Sequence, residues 1–71
     1  NMEIPSGKLH LLSKREREVV DLLIQGLTNA EIANKLILSE ATVKKHVLNI
    51  YKKLQVANRV QLIHAWKELN A

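Results

Sequence analysis

Residues 28–54 read TNAEIANKLILSEATVKKHVLNIYKKL, and this stretch contains two helix starts that lie eleven residues apart. At the first start, the Thr28 hydroxyl can accept a hydrogen bond from the backbone amide of Glu31, while the Glu31 carboxylate can accept one from the amide of Thr28. Ser39 repeats the arrangement at the second start. The spacing predicts a short helix, a turn of about three residues and a longer helix.

The excess positive charge of the chain follows the second helix start. From Ser39 to Arg59 there are five basic residues and one acidic residue, Glu40, whereas the other positions hold six basic and six acidic residues. The net charge of +4 is therefore carried by one predicted helix and the residues that directly follow it. Such a local stripe is the electrostatic footprint of a nucleic-acid-binding protein. A helix-turn-helix unit, which places its second helix in the DNA major groove, would present the stripe to DNA.

Length and composition favour one small all-α domain. The 71 residues form one domain at most, and isoleucine, leucine and valine supply 24 of them. The chain has no cysteine and no apolar run long enough for a membrane span or a signal peptide, so we expect a cytoplasmic protein. Residues 1–11 lack helical periodicity and contain Pro5 and Gly7, which predicts a linker or flexible arm before a domain at residues 12–71.

Four helices are expected, and no alternating strand pattern competes with them. Each begins at a residue whose side chain can cap free backbone amides. The predicted helices lie between Ser13 and Gly26, from about Asn29 to Leu36, from about Glu40 to Leu54, and from Asn58 to about Leu69. The predicted fold class is therefore an all-α, four-helix helix-turn-helix domain with helix three as the recognition helix.

The third predicted helix has a core face and an outward face. At about 100° per residue, its aliphatic residues cluster on one side. These residues are Val43, Val47, Ile50 and Leu54. The outward side holds mainly basic and polar residues, together with one leucine. Lysine can donate to guanine O6 and N7, and leucine can contact the thymine methyl group. The residues predicted to read bases are Lys44, Lys45, Leu48 and Asn49.

The residue pattern does not favour an enzyme or a metal site. His10, His46 and His64 share no i, i+4 pairing, and the acidic residues are not grouped around them. The two glycines are isolated, so no glycine-rich loop is available for a nucleotide. We therefore expect no catalysis, no metal and no other cofactor.

Four linked sequence blocks resemble one family of bacterial regulators. They are Leu12-Ser13-x-Arg15-Glu16-x-Glu18-Val19, Asn29-x-Glu31-Ile32-Ala33-x-x-Leu36, Ser39-x-x-Thr42-Val43-Lys44-x-His46 and Lys53-Leu54-x-Val56-x-x-Arg59. At this spacing, residues 11–69 resemble the C-terminal helix-turn-helix domain of LuxR-type transcription regulators. The resemblance implies the DNA-binding effector domain of a response regulator or autoinducer receptor. It also implies that the fourth helix pairs two domains on an inverted repeat.

The resemblance also assigns contacts with DNA. It implies base reading by Lys44, Lys45 and Leu48, and contacts with the DNA backbone by a second set of residues. With Lys52 added from the outward face, the phosphate-contacting set is Thr28, Asn29, Thr42, Lys52, Lys53 and Arg59. The free N–H groups at the start of helix two give Thr28 and Asn29 a physical reason for this role.

Two positions depart from related patterns. The family often has glycine where this chain has Gln55, and the older phage-repressor pattern has glycine where Ile37 stands in the turn. A positive φ at Gln55 would cost roughly 1 kcal/mol, which makes a different ending of the third helix the alternative expectation.

The expected partners are double-stranded DNA, a second copy of the chain and, as a further candidate, RNA polymerase, with no membrane contact. On the fourth helix, the spacing predicts a core face, which leaves two apolar residues beside polar ones at its margin. The core positions are Leu62, Ala65, Trp66 and Leu69, and the predicted dimerisation residues are Val60, Ile63, His64 and Lys67. So small a patch predicts a weak dimer that forms on DNA.

Two other functional classes share part of this pattern. The promoter-reading domain of a sigma factor has a similar opening in helix one and Thr-Val-Lys in the third helix. It does not continue, however, into a Val-x-x-Arg corner and a capped fourth helix, as this chain does from Val56. A helical protein-interaction module would expose its main apolar face and would not require the lysine stripe. Tyr51 and Trp66 alone provide no stacking platform for single-stranded RNA.

Overall fold

The computed structural model describes residues 11–69, apart from the side chain of Leu69. These residues form four helices and contain no strand: α1 (Lys14–Ile24), α2 (Asn29–Leu36), α3 (Glu40–Leu54) and α4 (Arg59–Leu69). The predicted all-α fold is confirmed, and α2 and α3 have the predicted bounds. The arm predicted for residues 1–11 lies outside the described residues, except for Leu11.

Reciprocal capping boxes begin α1 and α2. In the first, Ser13 Oγ accepts from the Glu16 amide at 3.1 Å, and Glu16 Oε1 accepts from the Ser13 amide at 2.9 Å. In the second, Thr28 Oγ1 accepts from the Glu31 amide at 3.2 Å, and Glu31 Oε1 accepts from the Thr28 amide at 2.8 Å. Each box satisfies two amides that have no partner within the helix.

The starts of α3 and α4 depart from the reciprocal pattern. Ser39 Oγ accepts from the Thr42 amide at 3.1 Å but donates to Thr42 Oγ1 at 2.9 Å, because a threonine stands where the other two boxes have glutamate. Asn58 Oδ1 accepts from the Gln61 amide at 2.9 Å, while Gln61 Oε1 accepts from the Ala57 amide at 2.7 Å. Both helices are therefore capped by the predicted residue. At each start, however, one of the two reciprocal hydrogen bonds is replaced by a bond to a different group.

Left-handed residues follow the ends of α2 and α3. Ile37 has φ 56° and Gln55 has φ 59°, in the region where side chains other than glycine are strained. After each of them, the next amide donates to the carbonyl five positions earlier, at 2.9 Å and 3.0 Å respectively. These bonds satisfy carbonyls that the helix leaves free, so Gln55 takes a positive φ directly after α3 despite the conformational cost, and the alternative ending is not adopted.

Aliphatic side chains from all four helices form one core. The largest contribution comes from α3, whose predicted core face is confirmed by the burial of Val43, Val47, Ile50 and Leu54. The remaining buried aliphatic residues are Leu12, Val19, Val20, Leu23, Ile32, Ala33 and Leu62. On α4, Leu62 is fully buried, whereas Ala65 and Trp66 are half-buried. The opposite face of α3 is consequently directed away from the protein.

We predict that Ser39→Ala lowers the free energy of unfolding by about 1 kcal/mol, because the Thr42 amide loses its acceptor at the start of α3. The measurement is chemical denaturation followed by circular dichroism. Lys45→Ala is the matched control, since Lys45 is exposed on the same helix and alanine is also a good helix former. An unchanged midpoint for Ser39→Ala would contradict the capping role.

Candidate nucleic-acid interface

The outward face of α3 carries the residues predicted to read bases. Lys44, Lys45 and Leu48 are exposed, and Asn49 is half-buried. Leu48 keeps 62% of its surface in solvent although it is a large aliphatic residue. Because a single exposed leucine is common, its exposure gains meaning from the lysines around it. The face thus combines hydrogen-bond donors, positive charge and one apolar side chain, which are the groups used to read base edges.

An open groove lies between the start of α2 and this face of α3. It brings together three residues predicted to contact phosphate and two predicted to read bases. Its lining residues are Leu23, Thr28, Asn29, Ala30, Glu40, Lys44, Val47, Leu48, Tyr51 and Arg59. The groove therefore joins the first turn of α2 to the recognition helix in one continuous surface.

Four more of the predicted contact residues lie on α3 outside the groove. Lys45 and Lys52 are exposed, while Asn49 and Thr42 are half-buried. Thr42 is also engaged locally, since its amide and its Oγ1 both bond to Ser39 Oγ. The predicted residues of α3 thus form two neighbouring sets, one beside the groove and one beyond it.

Two residues predicted to contact phosphate are engaged within the fold. Lys53 Nζ donates to Glu16 Oε1 at 2.8 Å, with the glutamate side chain only 6% exposed and the lysine side chain 38% exposed. Arg59 donates through one terminal guanidinium nitrogen to the carbonyl of Leu23 at 2.9 Å. Each residue retains further N–H groups, because an ammonium has three and a guanidinium has five.

Glu16 is a buried residue whose partner, Lys53, the sequence does not reveal. Its position three residues after Ser13 indicates a capping box, which is present, but Lys53 lies 37 residues further along the chain. The only sequence signal is that Glu16 falls on the same side of α1 as the core residues Val19, Val20 and Leu23.

The pKa of Glu16 is lower than its usual value. Burial by itself would raise the pKa of this carboxyl group. Hydrogen bonds from Lys53 and the Ser13 amide, together with the positive charges of Lys53 and His46, outweigh burial and favour the ionised form. On α3, burial raises the pKa of Tyr51, although the positive charge of Arg59 opposes the shift.

The residues predicted for dimerisation lie together on α4. Val60 is 72% exposed, Ile63 is half-buried, and His64 and Lys67 are exposed. The four residues and Glu68 line one shallow surface depression. The sequence prediction included every lining residue except Glu68, and the depression lies on a different helix from the base-reading face.

Within residues 11–69, no group of three or more histidine, cysteine, aspartate or glutamate side chains is placed to hold a metal ion. Over the same range, none of the helices has both the length and the apolar character needed to cross a membrane.

The sequence and the fold both match bacterial regulators. A model of the family described as bacterial regulatory proteins, luxR family, matches residues 10–66. The chain is 51% identical over 53 residues to the spore germination protein GerE of Bacillus subtilis, an alignment that covers 75% of this chain and 72% of GerE. It is 41% identical over 70 residues to the CsgBAC operon transcriptional regulatory protein of Escherichia coli, which covers 99% of this chain but 32% of that protein.

A solved structure of the response regulator StyR has a similar fold, with a TM-score of 0.85 and 38% sequence identity. The match covers 89% of this chain and 32% of the StyR chain. The chain thus spans most of GerE but about a third of the other two proteins.

We predict that Glu16→Gln destabilises the domain by about 1 to 2 kcal/mol at neutral pH, a value reduced for the partial exposure of Lys53. Because the folded pKa of Glu16 is lowered, its stabilisation is present above the unfolded pKa and is lost as the pH falls through the folded value. The difference between wild type and variant should therefore shrink below about pH 4. Denaturation midpoints measured across this pH range test the prediction.

Glu18→Gln is the matched control for this experiment. Glu18 pairs with Arg15 at 3.1 Å on the surface, where the two side chains are 43% and 45% exposed. Such a pair contributes at most about 1 kcal/mol. A pH-independent stability difference for Glu16→Gln, or an equal effect from Glu18→Gln, would contradict the role of the buried carboxylate.

Proposed function

Since the chain belongs to the LuxR family of bacterial regulatory proteins, we propose that it binds double-stranded DNA sequence-specifically and regulates transcription through that binding. The observation that carries the proposal is the division of α3 into a fully packed face and an exposed basic face. A helix held in this way can enter the major groove without exposing the core.

Base reading is assigned to the exposed part of α3. Lys44 and Lys45 lie in the first turns of the helix, where a recognition helix reaches base edges. Their ammonium groups can donate to guanine, Leu48 can contact a thymine methyl group, and the Asn49 amide can pair with adenine. The same four residues would therefore determine which sequence is preferred.

Contacts with the DNA backbone hold the domain in register without specifying sequence. Thr28 and Asn29 stand at the start of α2, Thr42 at the start of α3, and Lys52 on the outward side of α3. The backbone set also includes Lys53 and Arg59, each using the donors that its internal hydrogen bond leaves free.

The depression on α4 is proposed as the contact between two DNA-bound copies. Val60 and Ile63 supply its apolar part, and His64 and Lys67 supply its polar margin. A patch on one short helix is small for a stable dimer, so pairing would appear when adjacent half-sites of an inverted repeat raise the effective concentration. The two copies would be related by a two-fold axis, as the repeat is.

The relatives support a proposal for the cellular setting. Residues 12–71 would form the DNA-binding effector domain of a response regulator or autoinducer-type regulator, with residues 1–11 as its linker. Such a regulator would act on DNA in the bacterial cytoplasm, with RNA polymerase as a further partner. A regulatory role of this kind requires no catalytic activity in the domain.

We predict that Lys45→Ala lowers affinity for a preferred duplex by about 1 to 3 kcal/mol and weakens the preference for one base pair, since a base contact is lost. Lys52→Ala is the matched control on the same helix. It should weaken all duplexes alike and reduce the slope of log affinity against log salt by about one unit. Selection of bound duplexes from a random library, followed by titrations at several salt concentrations, gives both quantities.

The same selection tests the proposed function itself. Enrichment of an inverted repeat would support a regulator that binds as a pair. Failure to enrich any duplex would contradict sequence-specific binding, and equal losses on all sequences for Lys45→Ala and Lys52→Ala would contradict the division of roles.

We predict that Ile63→Asp abolishes cooperative binding to a full inverted repeat, because a charge is placed in the apolar part of the α4 patch. Affinity for a single half-site and the denaturation midpoint should remain as in wild type. Gel-shift titrations on both duplexes measure the effect. Asn34→Asp, which adds the same negative charge at an exposed position of α2, is the control. Unchanged cooperativity would place dimerisation outside the α4 patch.

A further inference from the structure

Tyr51 is the one aromatic residue in the groove between α2 and α3. It follows Lys44 and Leu48 at seven and three residues along the helix, so the three side chains form a row on one side of α3. The same groove is lined by Thr28 and Asn29 at the start of α2, two proposed contacts with the DNA backbone. Tyr51 thus lies on the DNA-facing side of the core rather than within the core.

The hydroxyl group of Tyr51 is available for a ligand. No hydrogen bond joins this hydroxyl to another residue in the described part of the chain. Every buried side-chain nitrogen or oxygen in that part has a hydrogen-bond partner, so an oxygen without a partner is not buried. Its oxygen therefore reaches solvent, although the residue as a whole is half-buried. A phenol in this position presents one O–H donor to the groove.

A fixed positive charge accompanies this donor. Arg59 also lines the groove, and its charge is close enough to act on the Tyr51 hydroxyl. The guanidinium is held by the Leu23 carbonyl at 2.9 Å, so its position does not depend on DNA. Lys44 adds a second positive charge to the lining, against one negative charge from Glu40. The groove therefore favours an anionic group that accepts hydrogen bonds.

We infer that Tyr51 is a further DNA-contacting residue, whose hydroxyl donates a hydrogen bond to one backbone phosphate of the bound duplex beside Arg59. The inference rests on the proposed DNA-binding function and adds to it a neutral contact that positions the recognition helix. A phenol, with a usual pKa of about 10, is protonated at neutral pH, and burial raises the pKa of Tyr51 further, so the hydroxyl approaches the phosphate as a donor and not as an anion.

The test compares wild type with Tyr51→Phe, which removes only the hydroxyl group. Affinity should fall about tenfold on preferred and unrelated duplexes alike, as expected for a lost hydrogen bond to a charged acceptor. The salt dependence should remain that of wild type, since a neutral donor releases no counterion. The denaturation midpoint should also be unchanged, because the ring still packs.

A phosphate scan gives a readout that packing alone would not affect. Each phosphate of the preferred duplex is replaced in turn by a neutral methylphosphonate. At one position, the losses from the replacement and from Tyr51→Phe should be non-additive, because both remove the same contact. Lys52→Ala is the matched control, and its loss should add to the replacement at that position.

The outcomes separate the inference from the function on which it rests. Two results would overturn the inference but leave the proposed function intact, provided that wild type binds the duplex. In one, Tyr51→Phe binds with the same affinity as wild type; in the other, the losses from Tyr51→Phe and from the replacement are additive at every phosphate. Losses that accompany a lowered denaturation midpoint and are additive at every phosphate would assign Tyr51 a packing role and also overturn it. If the wild-type chain bound no duplex, the proposed function would be overturned together with the inference.

Discussion

The carboxylate of Glu16 joins two parts of the chain that are 37 residues apart. Its Oε1 atom accepts from the Ser13 amide at the start of α1 and from Lys53 Nζ near the end of α3. A buried carboxylate that lost these donors would be strongly destabilising. Rotation of the recognition helix about its axis would separate Lys53 from Glu16, so this contact acts together with the buried face of α3 to set the direction of its outward face.

The other end of α1 is tied to α4 in a similar way. The last carbonyl groups of a helix lack partners within it and carry partial negative charge. The last turn of α1 contains no basic residue, but the Arg59 guanidinium reaches the Leu23 carbonyl from the start of α4. Helix α1 thus contacts both functional helices: its first turn bonds to the recognition helix through Lys53, and its last turn bonds to α4 through Arg59.

The range of each interaction along the chain decides what the sequence can predict. The bounds of α2 and α3 are predictable because a cap depends on side chains three residues apart, as for Thr28 and Glu31. The faces of α3 are predictable because helical periodicity is equally local. By contrast, the pairing of Glu16 with Lys53 depends on how α1 crosses α3, which no local pattern encodes.

The candidate site shows the same limit. Periodicity identifies the exposed lysines, but the groove that unites Asn29 with Lys44 depends on the placement of α2 against α3. Tyr51 follows the core residue Val47 at four positions, a spacing typical of packing residues, so its place in the groove emerges only from the fold.

Helix α4 has few buried side chains, and this has a consequence for local unfolding of the domain. Of its described side chains only Leu62 is fully buried, with Trp66 half-buried and the Arg59 bond at its first residue. Elements with few buried contacts unfold locally at a lower free energy than the rest of a domain. The amides of α4 would then exchange hydrogen sooner than those of α3. The proposed seating of a second copy on α4 would slow that exchange, so pairing would be thermodynamically linked to local order in this helix.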